Sequence, residues 1–271
     1  MINTKNRGWL NDCCPLSTAN YPLNNMNRFC RIEQLLGRPA LEKLKNARVA
    51  VFGLGAVGSY AVEALARAGV GYLRLVDCDV VRLSNFNRQL YALESTLNRP
   101  KAEVARARVL DINPACTVEA HQAFVDGSTA QTLLAQPLDV VVDAIDSVAP
   151  KVTLIATAVR AGLKVVASMG AATRLDPSKI RVGDIAETDV CPLAKFVRKK
   201  LKAAGMERGV RCIYSVEPPR NTTPPMVAEP ETFAKGRPRK PIGSLSYATG
   251  MFGLLAAYET IKMIVPLDGE G

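Results

Sequence analysis

The sequence predicts an α/β protein: a Rossmann-like, mostly parallel sheet with helices on both faces, extended by antiparallel strands in its C-terminal half. Three observations carry that prediction. Apolar runs alternate with helix-period segments from Val49 to Ser168. A glycine turn, Gly53-Leu54-Gly55-Ala56-Val57-Gly58, separates the first run from the first long helical pattern. The run Leu138 to Ala144 is apolar at nearly every position, as a strand buried on both faces should be.

Taken in order, residues 1–27 are polar and unpatterned and read as a flexible arm. Residues 28–271 read as one domain, with a nucleotide-binding half over about 47–170 and a substrate-side half over about 171–271. Arg28 to Gly37 is a short helix ended by a glycine cap, and Pro39 to Asn46 is a second, with proline suited to a first turn. Val49 to Phe52 is the first strand. Val57, Ala61, Leu65 and Ala68 then recur at helical spacing until Gly69. Tyr72 to Asp77 is a strand, and a helix runs from Pro100 to about Asp111, where Ile112-Asn113-Pro114 stops it. Val118 to Phe124 is a strand, and Ser128 to Ala135 a helix with Ser128 as N-cap. Leu138 to Ala144 is a strand, Pro150 to Ala161 a helix and Lys164 to Ser168 a strand. Beyond these, Ile180 to Asp184 and Val210 to Ser215 read as strands around a basic helix, Pro192 to Ala204. Residues 217–243 are proline-rich without a hydrophobic period and read as a mobile loop. Leu245 to Ala248 reads as a last strand and Met251 to Ile264 as a last helix.

Bulk properties narrow the function less than the motifs do. The formal charge of +10 favours polyanionic partners, nucleotide or nucleic acid, without choosing between them. Seven cysteines form no C-x-x-C pair, which speaks against a zinc ribbon or a redox motif, and their odd number fits a reduced, cytoplasmic setting. The apolar stretch Met251 to Val265 is short of a bilayer span and carries Glu259 and Lys262, so it reads as a packed or amphipathic helix, with peripheral membrane contact as the lesser alternative.

The glycine turn follows an apolar strand and opens a helix, the arrangement in which Gly53 makes the turn, Gly55 admits phosphate to the backbone and Gly58 lets the helix approach the sheet. Amides at the helix start attract phosphate. Asp77, ending the next strand, stands where a carboxylate holds ribose hydroxyls. This constellation binds a nucleotide but does not separate NAD from ATP. The loop that follows does more. Asp77-Cys78-Asp79-Val80-Val81-Arg82-Leu83-Ser84-Asn85-Phe86-Asn87-Arg88-Gln89 is dense in polar groups at the carboxyl edge of the sheet. Arg88 and Lys101 are placed to reach the phosphates of a triphosphate. Asp146, in D-A-I-D-S one strand over, suits magnesium or the adenosine ribose. Two cations and one acid are what nucleotidyl transfer needs, to stabilise charge on the α-phosphate and on departing pyrophosphate.

D-x-D-x-V-x-x-S-N-x-N-R-Q after G-x-G-x-x-G, then Lys101, then D-A-x-D, resembles the ubiquitin-activating-enzyme-like (ThiF/MoeB-type) adenylyltransferases, which join AMP to a carboxylate. The resemblance implies Asp77 as ribose ligand, with Asp79 beside it; Asn85, Arg88 and Lys101 as the phosphate set; and Asp146 as the acid near magnesium. It also implies a homodimer in which Arg31 reaches the partner's site. Within that family the chain most resembles the tRNA threonylcarbamoyladenosine dehydratases. The segments that carry this are S-M-G-A-A-T-R (Ser168 to Arg174), Asp176 to Ile185, Pro192 to Leu201 and Y-S-V-E-P-P (Tyr214 to Pro219). Ala56, Asn98 and Cys191 depart from residues frequent in those relatives. Asn tolerates the left-handed backbone that a glycine would take at position 98.

The branch implies a substrate: the threonyl carboxylate on a modified adenosine beside the anticodon. ATP adenylates it, a nitrogen of the tethered carbamoyl group closes a ring, and AMP leaves with net loss of water. No protein nucleophile is needed, so Cys191 is expected to be an incidental thiol, and His121, the single histidine, to be structural and far from the motifs. The basic helix and Lys235 to Lys240 are candidate tRNA phosphate contacts, against the alternative of a solvated face and tail. Two other functions stay open: activation of the C-terminal carboxylate of a ubiquitin-like or sulfur-carrier protein, with sulfur-transfer or accessory partners, and a NAD-dependent oxidoreductase or non-catalytic nucleotide-binding module.

Overall fold

The computed structural model describes residues 28–220 and 242–267. The arm 1–27, the Lys235-to-Lys240 segment and most of the 217–243 loop lie outside the described residues. The elements are α1 (Cys30–Leu36), α2 (Arg38–Asn46), β1 (Arg48–Phe52), α3 (Gly58–Arg67), β2 (Tyr72–Val76), α4 (Lys101–Ile112), β3 (Thr117–His121), α5 (Gly127–Leu134), β4 (Val140–Asp143), α6 (Val148–Arg160), β5 (Lys164–Ser168), β6 (Ile180–Asp184), α7 (Pro192–Ala203), β7 (Arg211–Ser215) and α8 (Ser246–Ile264).

The strands form one sheet of order β3-β2-β1-β4-β5-β7-β6. All neighbours are parallel except β6, which runs antiparallel to β7 at one edge. β1 and β4 are buried at almost every position, which explains the apolar runs Val49 to Phe52 and Val140 to Val142 within them. One face of the sheet buries Val49, Val51, Leu73 and Leu75 under α3, α4 and α8. The other buries Ala50, Phe52, Val141 and Val165 under α5, α6 and α7. Strand order reverses between β1 and β4, and in sheets of this kind ligands enter the crevice at the carboxyl ends flanking that reversal.

Several sequence boundaries move. The N-cap of α5 is Asp126 rather than Ser128: its Oδ1 accepts from the Ser128 and Thr129 amides at 3.1 and 3.0 Å. Those bonds hold its carboxyl down to about 2, the Thr129 amide contributing most. β3 stops at His121, three residues early. Leu245 to Ala248 is not a strand. Leu245 is the N-cap of α8, because Ala248, Phe252 and Ala256 recur at helical spacing and bury together against the core. His121 is not remote from the motifs either. Its carbonyl accepts from the Asp77 amide at 3.2 Å, so it sits at the same carboxyl edge, with its ring beside Glu119 at 3.4 Å.

Candidate active site

The glycine turn lies at the reversal of strand order. Gly53 has φ 85°, and a Cβ there would stand 2.8 Å from the Ala144 carbonyl oxygen, at the end of β4. A Cβ on Gly58 would lie 1.8 Å from the Gly53 carbonyl oxygen. Both glycines are therefore required by the fold itself. Gly55 is different: its φ is not positive, and a Cβ there would meet nothing nearer than Gln89 Nε2 at 3.6 Å. The fold makes no demand for glycine at this position, and the missing side chain leaves the backbone open to a close-lying group such as a nucleotide phosphate. Gly55→Ala is expected to leave the melting temperature unchanged or slightly raised, since it restricts the unfolded chain by about 0.4–1 kcal/mol. It should nevertheless weaken ATP binding measured by calorimetry.

The polar loop arches over this turn. A short helical turn, Leu83–Asn85, is followed by Arg88 and Gln89, whose amides donate to the Asn85 carbonyl at 3.1 and 2.9 Å. The Leu90 amide donates to Ser59 Oγ at 3.2 Å, fastening the loop to α3. Asn87 Nδ2 donates to the Ser244 carbonyl at 3.0 Å, fastening it to the lead-in of α8. Arg88 is half-buried, and its Nη1 donates to the Ser84 carbonyl at 2.7 Å and to Asn87 Oδ1 at 2.9 Å. Asn85 is buried, and its Oδ1 accepts from the Arg82 amide at 3.1 Å. Its oxygen is thus spent on the loop, and Nδ2, 3.5 Å from Ser84 Oγ, is what it can offer a phosphate.

Asp77 and Lys101 meet across the same edge. Asp77 Oδ2 accepts from the Leu54 amide at 2.6 Å and Oδ1 from the Asp79 amide at 2.8 Å, so the acid braces the glycine turn. Burial pushes its carboxyl above the ordinary range, and the Lys101 charge opposes that rise. Lys101 opens α4, is 5% exposed, and pairs through Nζ with Asp79 Oδ2 at 3.4 Å. A bridge between Val80 and Pro100, with Asn98 at φ 64°, holds the two segments together; Asn takes the left-handed turn as its chemistry permits. Asp146 is exposed, between β4 and α6 at the neighbouring strand end.

Metal chemistry is narrowly placed. Among the described residues, the one group of three donors close enough to share an ion is Asp77, Cys78 and Asp79. Burial, then the two carboxylates, pushes the Cys78 thiol up to about 12, and a protonated thiol is a poor ligand for magnesium. Asp146 fits magnesium better, because that ion is commonly held by one or two carboxylates together with substrate phosphates.

Other expected residues fall elsewhere. Phe29 packs where a Cβ on Gly69 would lie, at the C-terminal end of α3, and Arg28 Nη1 donates to the Ile112 carbonyl at 2.6 Å, at the C-terminal end of α4. Arg31, exposed in the first turn of α1 directly after these two residues, therefore lies at the amino edge of the sheet, opposite the glycine turn of its own chain. Cys191 is 2% exposed, with its sulfur 3.3 Å from where a Gly170 Cβ would stand, which suits an inert thiol.

Sequence reasoning missed one buried pair. Asp143 and Lys151 are both fully buried, 2.5 Å apart. Lys151 Nζ also donates to the Ser168 carbonyl at 2.8 Å, and Asp143 Oδ1 accepts from the Ile145 amide at 3.0 Å. The pair ties the carboxyl ends of β4 and β5 to the start of α6 and shapes the turn that presents Asp146. Burial raises the Asp143 carboxyl above its ordinary range, and Lys151 counters it. A lysine inside an otherwise apolar helix pattern was the only trace of this in the chain.

A parallel-sheet nucleotide crevice with an arginine loop over its glycine turn defines an adenylating class of enzyme rather than a dehydrogenase. Residues 27–270 match the ThiF family, and the chain belongs to it. It is 44% identical over 194 residues to tRNA threonylcarbamoyladenosine dehydratase of Bacillus subtilis (strain 168), covering 72% of this chain and 76% of that protein. The crystal structure of E. coli tRNA N6-threonylcarbamoyladenosine dehydratase, TcdA, in complex with ATP matches with TM-score 0.76 and 35% identity over 88% of this chain and 93% of that one. Adenylyltransferase and sulfurtransferase MOCS3 of Drosophila willistoni is 33% identical over 84% of this chain, which spans 42% of that protein.

Proposed function

We infer that the protein is an ATP-dependent tRNA threonylcarbamoyladenosine dehydratase acting in the cytoplasm. The observation that carries this reading is the loop Asn85 to Gln89 folded over a glycine turn whose middle glycine the fold does not need, in a chain that most resembles such dehydratases along most of its length. The carrier-protein alternative draws on MOCS3, which at 33% identity is less similar to this chain than the Bacillus subtilis dehydratase at 44%.

In this reading the triphosphate lies along Gly53 to Gly58, with its ribose against Asp77. Arg88 and Lys101 stabilise charge on the phosphates as the threonyl carboxylate attacks the α-phosphorus and pyrophosphate departs. Asp146 would hold magnesium, which supplies further charge neutralisation at the phosphates. The acyl adenylate is then attacked by the tethered carbamoyl nitrogen, which loses its proton as AMP leaves; the ring forms without a protein nucleophile.

The active unit is a homodimer in which Arg31 of one protomer completes the site of its partner. Support comes from the position of Arg31 away from its own site, and from an apolar stripe on α8, Tyr247, Met251, Leu254 and Tyr258, left 39 to 49% exposed. The tRNA backbone lies along α7, where Lys195, Lys199 and Lys202 are exposed at helical spacing. Double replacement of Lys195 and Lys199 by alanine should flatten the slope of log affinity against log salt by about 1.5. Retention of tRNA that ignores salt in the native protein would sink this surface. For the reaction itself, pyrophosphate release from ATP is expected with threonylcarbamoyl-modified tRNA and not with a carrier protein. Activity on NAD without ATP cleavage would overturn the reading.

A further inference from the structure

Beside the nucleotide crevice lies a cavity of ≈ 290 Å³ whose walls include Thr173, Arg174, Arg220, Gly243 and Ser244. Arg174 is 3% exposed, yet among the described residues its Nε and Nη1 have no hydrogen-bond partner. The buried Ser244 Oγ in the same wall has none either. Buried guanidinium N–H groups without an acceptor are costly, and they mark a place for an ordered water or an anion. Glu217, the acid beside Arg220, is engaged elsewhere. Glu217 accepts from the Leu175 and Asp176 amides at 2.9 Å each and faces Arg220 Nε at 3.6 Å. The Asp176 amide does most to hold the Glu217 carboxyl below its ordinary range.

The cavity is assembled rather than incidental. Thr173 holds φ 63°, a conformation rare outside glycine, and is fixed there by its amide to the Gly243 carbonyl at 3.0 Å and its carbonyl to the Arg220 amide at 3.3 Å. Three separate segments thus meet to wall in one arginine. The cavity also touches the active site: Ser244, in its wall, accepts from Asn87, the neighbour of Arg88.

We propose that Arg174, with Arg220 at the rim, forms an oxyanion subsite that seats an anionic oxygen group of the RNA substrate beside the bound nucleotide. A guanidinium offers several N–H donors to carboxylate or phosphate oxygens at once, so either the threonyl carboxylate or a flanking phosphodiester satisfies the chemistry. The proposal rests on the tRNA reading above, but its first test does not.

With the crevice filled by a non-hydrolysable ATP analogue, inorganic phosphate should raise the melting temperature of the native protein and leave that of Arg174→Met unmoved. Ligand-free Arg174→Met should melt no lower than the native protein, since nothing satisfied is lost. Equal responses to phosphate, or a clear loss of ligand-free stability, would make Arg174 an ordinary structural residue and overturn the subsite. In turnover, Arg174→Met should raise KM for modified tRNA by about 10- to 100-fold with KM for ATP unchanged, and Arg174→Lys should recover part of the loss. If the variant also loses affinity for tRNA lacking the threonylcarbamoyl group, the seated group is a phosphodiester. If affinity falls only for modified tRNA, it is the carboxylate. A native protein that cleaves no ATP with modified tRNA defeats the functional reading, while the phosphate response still decides the subsite.

Discussion

Arg88→Ala is expected to lower ATP-dependent turnover by about 10²- to 10³-fold, the scale on which removal of one preorganised charge-stabilising donor acts. Among the described residues Arg88 donates to Ser84 and Asn87, both within its own loop, and the loop is separately fastened through Leu90 to Ser59 and through Asn87 to Ser244. The substitution therefore removes a charge from above the glycine turn without dismantling its support. The melting temperature should stay within a degree or two of native, as about 0.5 kcal/mol or less is lost at partly exposed positions of this kind. Undiminished turnover in this variant would refute the placement of the phosphates.

Lys151→Met should be the most destabilising of the substitutions considered. It strands the Asp143 carboxylate at 0% exposure, having removed a partner at 2.5 Å. Breaking a buried pair in this way costs about 3–5 kcal/mol, or on the order of 10 °C for a domain of this size. The penalty depends on pH with a definite sign. In the variant, Asp143 keeps its burial and loses the charge that opposed it, so its folded-state affinity for a proton exceeds that of the unfolded chain. The folded protein then binds the extra proton, and stability falls as pH rises through the raised value. Relative to the native protein, the deficit should shrink as pH is lowered toward about 4, the ordinary range of an aspartate. Adding Asp143→Asn keeps an acceptor for the Ile145 amide and removes the stranded charge, so the double variant should recover much of the loss. Chemical denaturation across pH reads all three. A deficit that is the same at every pH would mean that Asp143 is not the group responsible.

These two residues also mark what the chain discloses and what it hides. Arg88 was legible because its chemistry is local: the glycine turn, Asp77, the loop to Gln89 and Lys101 lie close in sequence and fall at one sheet edge by topology alone. The sheet itself was legible for a similar reason, since Val49 to Phe52 and Val140 to Val142 are buried on both faces and so are apolar at every position. Lys151 was not legible. Its partner, Asp143, is eight residues away across a turn, and only the docking of α6 against β5 removes both from water. Arg174 was hidden in the same way, its burial created by segments at Arg220 and Gly243. Element ends were lost where local competition decided: Asp126 outcompeted Ser128 as a cap, and Leu245 to Ala248 joined a helix because Phe252 and Ala256 continue its buried stripe. Arg31 shows the opposite limit. Resemblance singled it out, and the fold puts it at the amino edge of the sheet, opposite the glycine turn of its own chain.

The reaction to test is the removal of water from a threonylcarbamoyl-modified adenosine by way of an adenylate. The direct measurement is the mass of that nucleoside, digested from tRNA after incubation with the protein, with and without ATP. The expected product is a nucleoside lighter by one water, formed only with ATP, accompanied by one AMP and one pyrophosphate each, and absent with Arg88→Ala. An unchanged nucleoside mass with native protein, ATP and magnesium present would contradict it.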